Sequence, residues 1–559
     1  MRDVTQLRDG SVVALDWEQE GDRTFDILRK IDFETGEFGE TFQLTAPNVW
    51  NLYPAGNYPF DLLLDDGNHL FGYDLATGER TILLNWIEAG MAFGWNYHVG
   101  FLADGRISVL ASDWVNRGGR GGRGSDEWST ELIVLTRIPR SELPERTVLT
   151  LGGTWFPDEL RREVVAFNRE SRTHQIQVVD YAMYSTQDDW RAGETRFIMD
   201  LATGRGPDII VGHHGSALTD QGMLADLYPL LDADPLLDRS DFFSNILRAF
   251  EMPDGTLPLL SNAFGLQTMI GTAETAGDIQ SWTLADLLAL IDGRDATHTH
   301  IMGEWLTGEN FIVQALMVGR DFIDWSERRV NLESEAFIDL LEVAARLPDA
   351  FPDGAGGWAN EEFSRMRSGE QLLYMSWLST PGRYQEFVAA LDEIVVLGIP
   401  TEEGGAHVIG PSYGFGISAG SDHQDAAWDF IRRFFLPDAV IEWEFPLRID
   451  KYEAQIAEAM TPMFWEEEDE WREGEVGEER PRLSVWLEDF TIDVFAMTEE
   501  EAAGLRAIIE DASLITRSDE GVWEIVQEEL LAFFAGDRSA ADTARILQNR
   551  IQTFLNERG

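Results

Sequence analysis

The sequence contains no cysteine, which excludes a disulfide framework and any thiolate metal site and leaves the redox compartment unfixed. Lysine is nearly absent as well: Lys30 and Lys451 are the only two, and arginine supplies the remaining positive charge. Basic residues are scarce altogether, 43 against 100 acidic ones, for a formal net charge of -57. Such a field repels polyanions and argues against nucleic acid or an anionic lipid surface as partner, so a neutral or cationic ligand is expected. No apolar run approaches the ~18 residues that span a bilayer, and the opening MRDVTQLRDGSVV lacks the basic and apolar regions of a signal peptide. The opening resembles the middle of a repeat, so the start is expected to be trimmed.

What is present indicates a folded chain of several parts. Hydrophobic residues make up 44% and aromatic ones 11% of 559 residues, and single cores stop growing near ~250 to 300 residues, so two or more domains are expected. Over residues 1–146, LRDGSVVALDW (7–17), LLLDDGNHLFGYDLATGERTILLNW (62–86) and LADGRISVLASDW (102–114) share an Asp-Gly turn followed by an alternating apolar strand. DFETGE and DLATGE add further hairpin turns. Spacings near the ~40 residues of a propeller blade predict an all-β, partial propeller-like repeat region, with too few units to close a ring. NRGGRGGRGSD (116–126) lies between two strand-like runs in an acidic chain and reads as a hairpin loop, not a nucleic-acid tract.

The character changes after the linker IPRSELPERT (138–147). TVLTLGG reads as a strand and FPDELRREVVAFNRES as a helix, with Pro157 in its first turn and Leu160, Val164 and Phe167 on one face. QIQVVDY, TRFIMDLATG and PDIIV continue the alternation, which predicts a mostly parallel sheet covered by helices. The loop after PDIIV then leaves the carboxyl edge of that sheet, where open α/β sheets place ligands. It carries His213 and His214.

Several segments in this order resemble the extracellular solute-binding proteins of carbohydrate-type ABC importers, the maltose-binding-protein-like class. VVAFNRES with IQVVDY, then GPDIIV with GMLADLYPLLDAD, are similar to the early strands and helices of that family. GTLPLLSNAFGLQTMIG and VVLGIPTEEGG resemble its two crossings, and MRSGEQLLYMSW its helix and strand that deliver an aromatic to the cleft. GFGISAGSDHQDAAWDFIRRFF and the final VWEIVQEELLAFFAGDRSAADTARILQNRIQTFL are similar to its closing elements. In the latter, Trp523, Val526, Leu530 and Phe533 form a helical stripe, Gly536 a stop, and Ser539 a cap for a second helix with Ile551 and Phe554.

The resemblance implies an α/β, two-lobed periplasmic-binding-protein-like fold over 147–559, lobe one being about 147–258 with 400–445 and lobe two about 259–399 with 446–559. It implies hinge closure on a solute, an extracellular location as a lipoprotein whose signal segment is missing from this chain, and membrane association only through that N-terminal anchor. ABC permease subunits are the implied partners, and the chain is expected to be monomeric.

Sugars present apolar C-H faces and a rim of hydroxyls, so their sites need flat aromatics beside planar or hydroxylic hydrogen-bonding groups. Of 19 tryptophans, Trp377 and Trp523 fall where the family places cleft aromatics, with core packing as the alternative. Trp155 and Phe156 lie in the loop after the first strand, where a hydrophobic staple is the competing role. Tyr413, Asn262 and Phe264 lie in or beside the crossings, and Trp305 and Trp358 follow polar or Gly-rich loops. His213 and His214, adjacent on an extended segment, point opposite ways and hardly ligate one ion. His298 and His300 have better geometry for chelation, but no matching cluster accompanies them, so no metal or cofactor is expected. WEEEDEWREGEVGEE (465–479) lacks the spacing of a calcium loop and reads as a solvated helical acidic face.

The expected function is capture of a carbohydrate, an oligosaccharide above all, for delivery to a permease, without catalysis. The alternatives are a secreted glycan-active hydrolase with an accessory β domain, against which the lack of a nucleophile or acid/base motif counts, and a cell-surface sensor or interaction protein.

Overall fold

The computed structural model describes residues 2–559 except 21–22, 33, 45–48, 92–96, 103, 116–126, 143, 187–188, 190, 213–218, 220–221, 277–278, 280–281, 295–299, 304–305, 319–320, 326, 349–358, 392, 442, 467–473, 488–489, 517–518 and 558–559. The chain divides into two compact units, Met1–Gly212 with Gly420–Ile431, and His213–Ala419 with Arg432–Gly559. The boundary expected at 146 falls inside the first.

The repeated turn sequences of the N-terminal part close in the same way each time. Asp9 accepts the Ser11 N–H, Asp66 accepts those of Asn68 and His69, and Asp104 accepts that of Arg106. Gly10, Gly67 and Gly105 follow with φ of 89°, 82° and 84°, a conformation that side chains other than glycine resist. The DFETGE and DLATGE turns also match: Asp32 caps Glu34 and Thr35, Asp74 caps Ala76 and Thr77, and Gly36 and Gly78 have positive φ.

These turns fold residues 3–135 into three antiparallel sheets. Asp3–Gln6, Val12–Glu20, Arg23–Ile31 and Phe38–Gln43 form the first four-stranded meander, and Asn51–Pro54, Leu62–Asp65, His69–Tyr73 and Arg80–Asn85 the second. The third contains Tyr97–Phe101, Ile107–Val115 and Glu127–Leu135. The expected hairpin loop at 116–126 lies outside the described residues; of the flanking strands, Val115 pairs with Glu127. The inner strands of the middle sheet, Leu62–Asp65 and His69–Tyr73, are buried on both faces. Leu62 and Leu64 join one core cluster with Leu15 and Leu28 of the first sheet, and Leu63 joins another with Ile107 and Val109 of the third, the period of two that a strand imposes.

In the same unit Thr147–Gly153 pairs in parallel with His174–Asp180 and with Ile209 and Ile210. The connecting helix, Asp158–Glu170, starts one residue after Pro157 and buries Leu160, Val164 and Phe167, as its spacing predicts. Arginines tie the β region to this part: Arg161 donates to the Gly67 carbonyl (2.6 Å) and Arg169 to that of Gly90 (2.8 Å).

The second unit is built on one long strand, Ala263–Thr272. Tyr374–Leu378, Ile394–Val396, Val408–Pro411 and Phe445–Pro446 all pair with it antiparallel, and among the described residues only Leu514–Ile515 joins in parallel, on Val408–Pro411. The expected mostly parallel sheet therefore holds for 147–212 and is corrected here, because successive segments return along this strand from its opposite end. The two closing helices, Glu520–Phe534 and Ala540–Glu557, are separated by Gly536 at φ 75°, and Ser539 caps the second through Asp542 N–H. The acidic stretch 465–479 is corrected as well. Its described ends form a hairpin, Met463–Phe464 with Glu479–Arg480, rather than a helix, and 467–473 lie outside the described residues.

Beside the long strand, His407 is buried with Nδ1 3.0 Å from the Thr268 hydroxyl. Burial holds its imidazole below the usual value, the carboxylate of Asp511 opposing this. The folded state thus binds fewer protons there than the unfolded one, and its stability is full above the ordinary imidazole value near 6.5 and falls as pH drops below it. Urea unfolding between pH 7.5 and 5 should show this decline, and His407→Gln should shallow it.

Candidate functional site

Trp377 sits on Tyr374–Leu378 directly across from Gln267, so the two side chains share a face of the sheet. On the same face, Gly265 pairs with Gly410 on the next strand. A Cβ on either glycine would collide with the Trp377 ring. The indole therefore lies across the backbone of both strands, and side chains at 265 or 410 would displace it. Trp377 is nevertheless 43% exposed, and what it exposes is the ring turned away from the sheet. A rigid aromatic plane backed by glycine and open on its other face offers apolar stacking area at low entropic cost.

Planar amides stand next to it. Gln267 donates through Nε2 to Gln314 Oε1, and Met375 Sδ lies 3.5 Å from the same nitrogen. Both glutamines line a small pocket with Phe311, Met375 and Pro400. Sequence reasoning missed Gln267 and Gln314. Gln267 lies three residues past the singled-out Phe264 and so on the opposite face of the strand, two past Gly265, whose face it shares.

Helix Gly308–Met317 links this pocket to Trp523. Gln314 and Ala315 face the first pocket, whereas Val313, Leu316 and Met317 line a second small one with Trp325, Asp519 and Trp523. Trp523 is partly buried against the core. Asp519, buried at the start of the terminal helix, accepts the N–H groups of Gly521 and Val522 and so fixes where Trp523 stands.

Other expected site residues are placed elsewhere. Phe264 is fully buried, its ring against Phe243 and Phe445. The alternation of the strand turns it to the face opposite Gly265 and Gln267, which corrects the ligand role expected of it. Tyr413 is buried edge-to-face on Phe415 at 5.3 Å, and Phe156 is buried just ahead of the helix from Asp158, its carbonyl accepting from Arg161 Nε; both are core positions in this structure. Asn262 is also buried, and its carbonyl accepts the Leu447 N–H. Trp155 is 54% exposed in the loop after Thr147–Gly153. His213, His214, Trp305 and Trp358 lie outside the described residues.

Asp208, at the start of PDIIV, is a scaffold group. Burial opposes its charge, but hydrogen bonds from Ser421 and from the N–H and hydroxyl of Thr150 prevail and hold its carboxyl below the ordinary range. It fastens the start of that strand to its parallel neighbour.

Residues 172–444 match the family model described as bacterial extracellular solute-binding protein. The matched segment includes Trp377, Gln267 and Gln314, and Trp523 lies beyond its end. No curated protein matches the chain. Among solved structures, the sugar-binding protein MalE of Xanthomonas citri is 13% identical, covering 74% of this chain and 98% of its own, at a TM-score of 0.47. The substrate-binding protein Lmo0181 of Listeria monocytogenes, in complex with cycloalternan, is 14% identical over 74% of this chain and 100% of its own, at 0.44. The MalE domain of Bdellovibrio bacteriovorus, bound to maltotriose, is 12% identical over 73% and 100%, at 0.41. Among the described residues no helix is long and apolar enough to cross a membrane.

Proposed function

We propose that the protein binds a neutral carbohydrate, an oligosaccharide, on Trp377 and delivers it to the permease subunits of an ABC importer without chemically changing it. The observation that carries this reading is the indole held flat on Gly265 and Gly410 with its outer face exposed. A sugar ring stacked there would place its hydroxyls beside the carboxamides of Gln267 and Gln314, groups that both donate and accept. Trp523 serves as a further aromatic contact of the second unit, and the His213–His214 loop as a hydrogen-bonding one. The net charge of -57 disfavours anionic glycans. In this reading the N-terminal meanders are an incomplete propeller-like accessory region.

Isothermal titration of the full chain against a panel of neutral and anionic oligosaccharides, peptides and polyamines tests the proposal. Saturable, one-to-one binding of a neutral glycan is expected, with recovery of the glycan intact. Binding of peptides or polyamines alone, or release of cleaved sugar, would overturn it.

A further inference from the structure

The geometry points to a divalent metal site, for zinc or a similar transition ion, formed by Asp66, His69 and Asp180 in the first unit. These residues come from distant parts of the chain. Asp66 and His69 belong to the Asp-Gly turn of the second meander, and Asp180 ends the parallel strand His174–Asp180. Each offers a ligand atom, and all three atoms lie within 4.8 Å of one another. Around a tetrahedral ion with bonds of about 2.0 to 2.2 Å, ligand atoms sit roughly 3.5 Å apart, so a modest contraction closes the set.

Two observations beyond the clustering indicate a cation. First, His69 has only 6% of its side chain exposed, and its Nδ1 makes no hydrogen bond among the described residues, with Asp66 Oδ2 standing off at ion-pair distance, 3.6 Å. A buried ring nitrogen without a partner is costly unless something satisfies it. Second, the charge there is unbalanced. Asp180 is buried beside Asp66, and its hydrogen-bond partners among the described residues are amide donors, Asn68 Nδ2 on one oxygen and the Ala182 N–H on the other. A divalent ion would neutralise both carboxylates. Asn68 Oδ1, buried on the same turn and also without a partner, is a neutral oxygen available nearby.

The mixture of imidazole and carboxylate suits zinc or manganese better than calcium, which takes six to eight oxygens. Binding through Nδ1 requires the proton to reside on Nε2. Nε2 lies 3.2 Å from Asn85 Nδ2, while Asn85 Oδ1 accepts the Glu88 N–H. The carboxamide of Asn85 must therefore turn over to present its oxygen to His69, surrendering the bond to exposed Glu88. The consequence is a fixed tautomer, the arrangement in which outer partners tune metal-bound histidines. Such an ion would clamp the second meander to the end of the strand from 174 to 180.

The test uses the full chain stripped with chelator and titrated with zinc chloride, with calcium chloride in a parallel run. One zinc per chain at micromolar affinity and a rise in melting temperature are expected. His69→Gln should weaken zinc at least tenfold, His300→Ala should leave it unchanged, and Asn85→Asp, which keeps every ligand and puts a carboxylate behind the ring, should tighten it. No stoichiometric zinc, zinc binding that survives His69→Gln, or binding abolished by His300→Ala would each overturn the site. If His69→Gln does not fold, Asn85→Asp decides: unchanged or weakened zinc affinity counts against it.

Discussion

Trp377→Ala is expected to weaken glycan binding by about 30-fold, and Gly410→Val, with Trp377 intact, to weaken it by a comparable factor. Buried aromatic anchors at the centre of an interface cost about 2 kcal/mol or more when truncated, which at 1.4 kcal/mol per decade is about 30-fold. The glycine variant reaches the same end by another route. The valine side chain would occupy the space now filled by the edge of the indole, so the ring must lift from the sheet and lose its orientation. A ring acting only as core filler would behave differently: Gly410→Val would then destabilise the fold without a matching change in affinity at temperatures where the protein stays folded. Titration of each variant with the glycan found for the parent chain, alongside circular dichroism melts, separates the cases. Gln267→Ala and Gln314→Ala extend the series to the hydroxyl-facing groups.

Much of the fold could be read from local chemistry, and the reasons it stops are equally local. The Asp-Gly and Asp-x-x-Thr-Gly turns announce themselves because only glycine accepts the positive φ they require and only a short acidic side chain caps the following N–H groups. The helix from Asp158 is legible from the spacing of Leu160, Val164 and Phe167, and the terminal pair from Gly536 and Ser539. The direction of strand pairing was not legible in the second unit. An apolar run such as AFGLQTMIG is compatible with parallel or antiparallel neighbours, and its partners lie more than a hundred residues away.

The same limit governs the candidate site. Trp377 stands at the end of an apolar run, and that position favoured it, but the flat seat made by Gly265 and Gly410 depends on register. A shift of one residue would exchange Phe264 for Gly265 beneath the ring. The Asp66, His69 and Asp180 cluster is invisible in the sequence for the same reason, since nothing local connects a hairpin turn to a strand end over a hundred residues later.

Phe264→Ala is expected to destabilise the second unit by about 3 to 5 kcal/mol, the range for truncating a buried phenylalanine, because the transfer term is joined by the cavity the ring leaves. Phe264 has no exposed surface, stands 5.9 Å from the Phe445 ring and 6.4 Å from that of Phe243, and occupies the central strand that four other strands pair with. Collapse around the gap is restricted, since Phe445 and Pro411 are held opposite it by the sheet register. Phe264→Leu retains part of the volume and should cost less than the alanine variant. A ligand contact would give the reverse signature, with little loss of stability and a large loss of affinity. Urea unfolding monitored by tryptophan fluorescence, paired with glycan titration well below the midpoint, distinguishes them. Affinity within about threefold of the parent, together with a stability loss of this size, assigns Phe264 to the core beneath the platform, and a loss of affinity with unchanged stability returns it to the ligand.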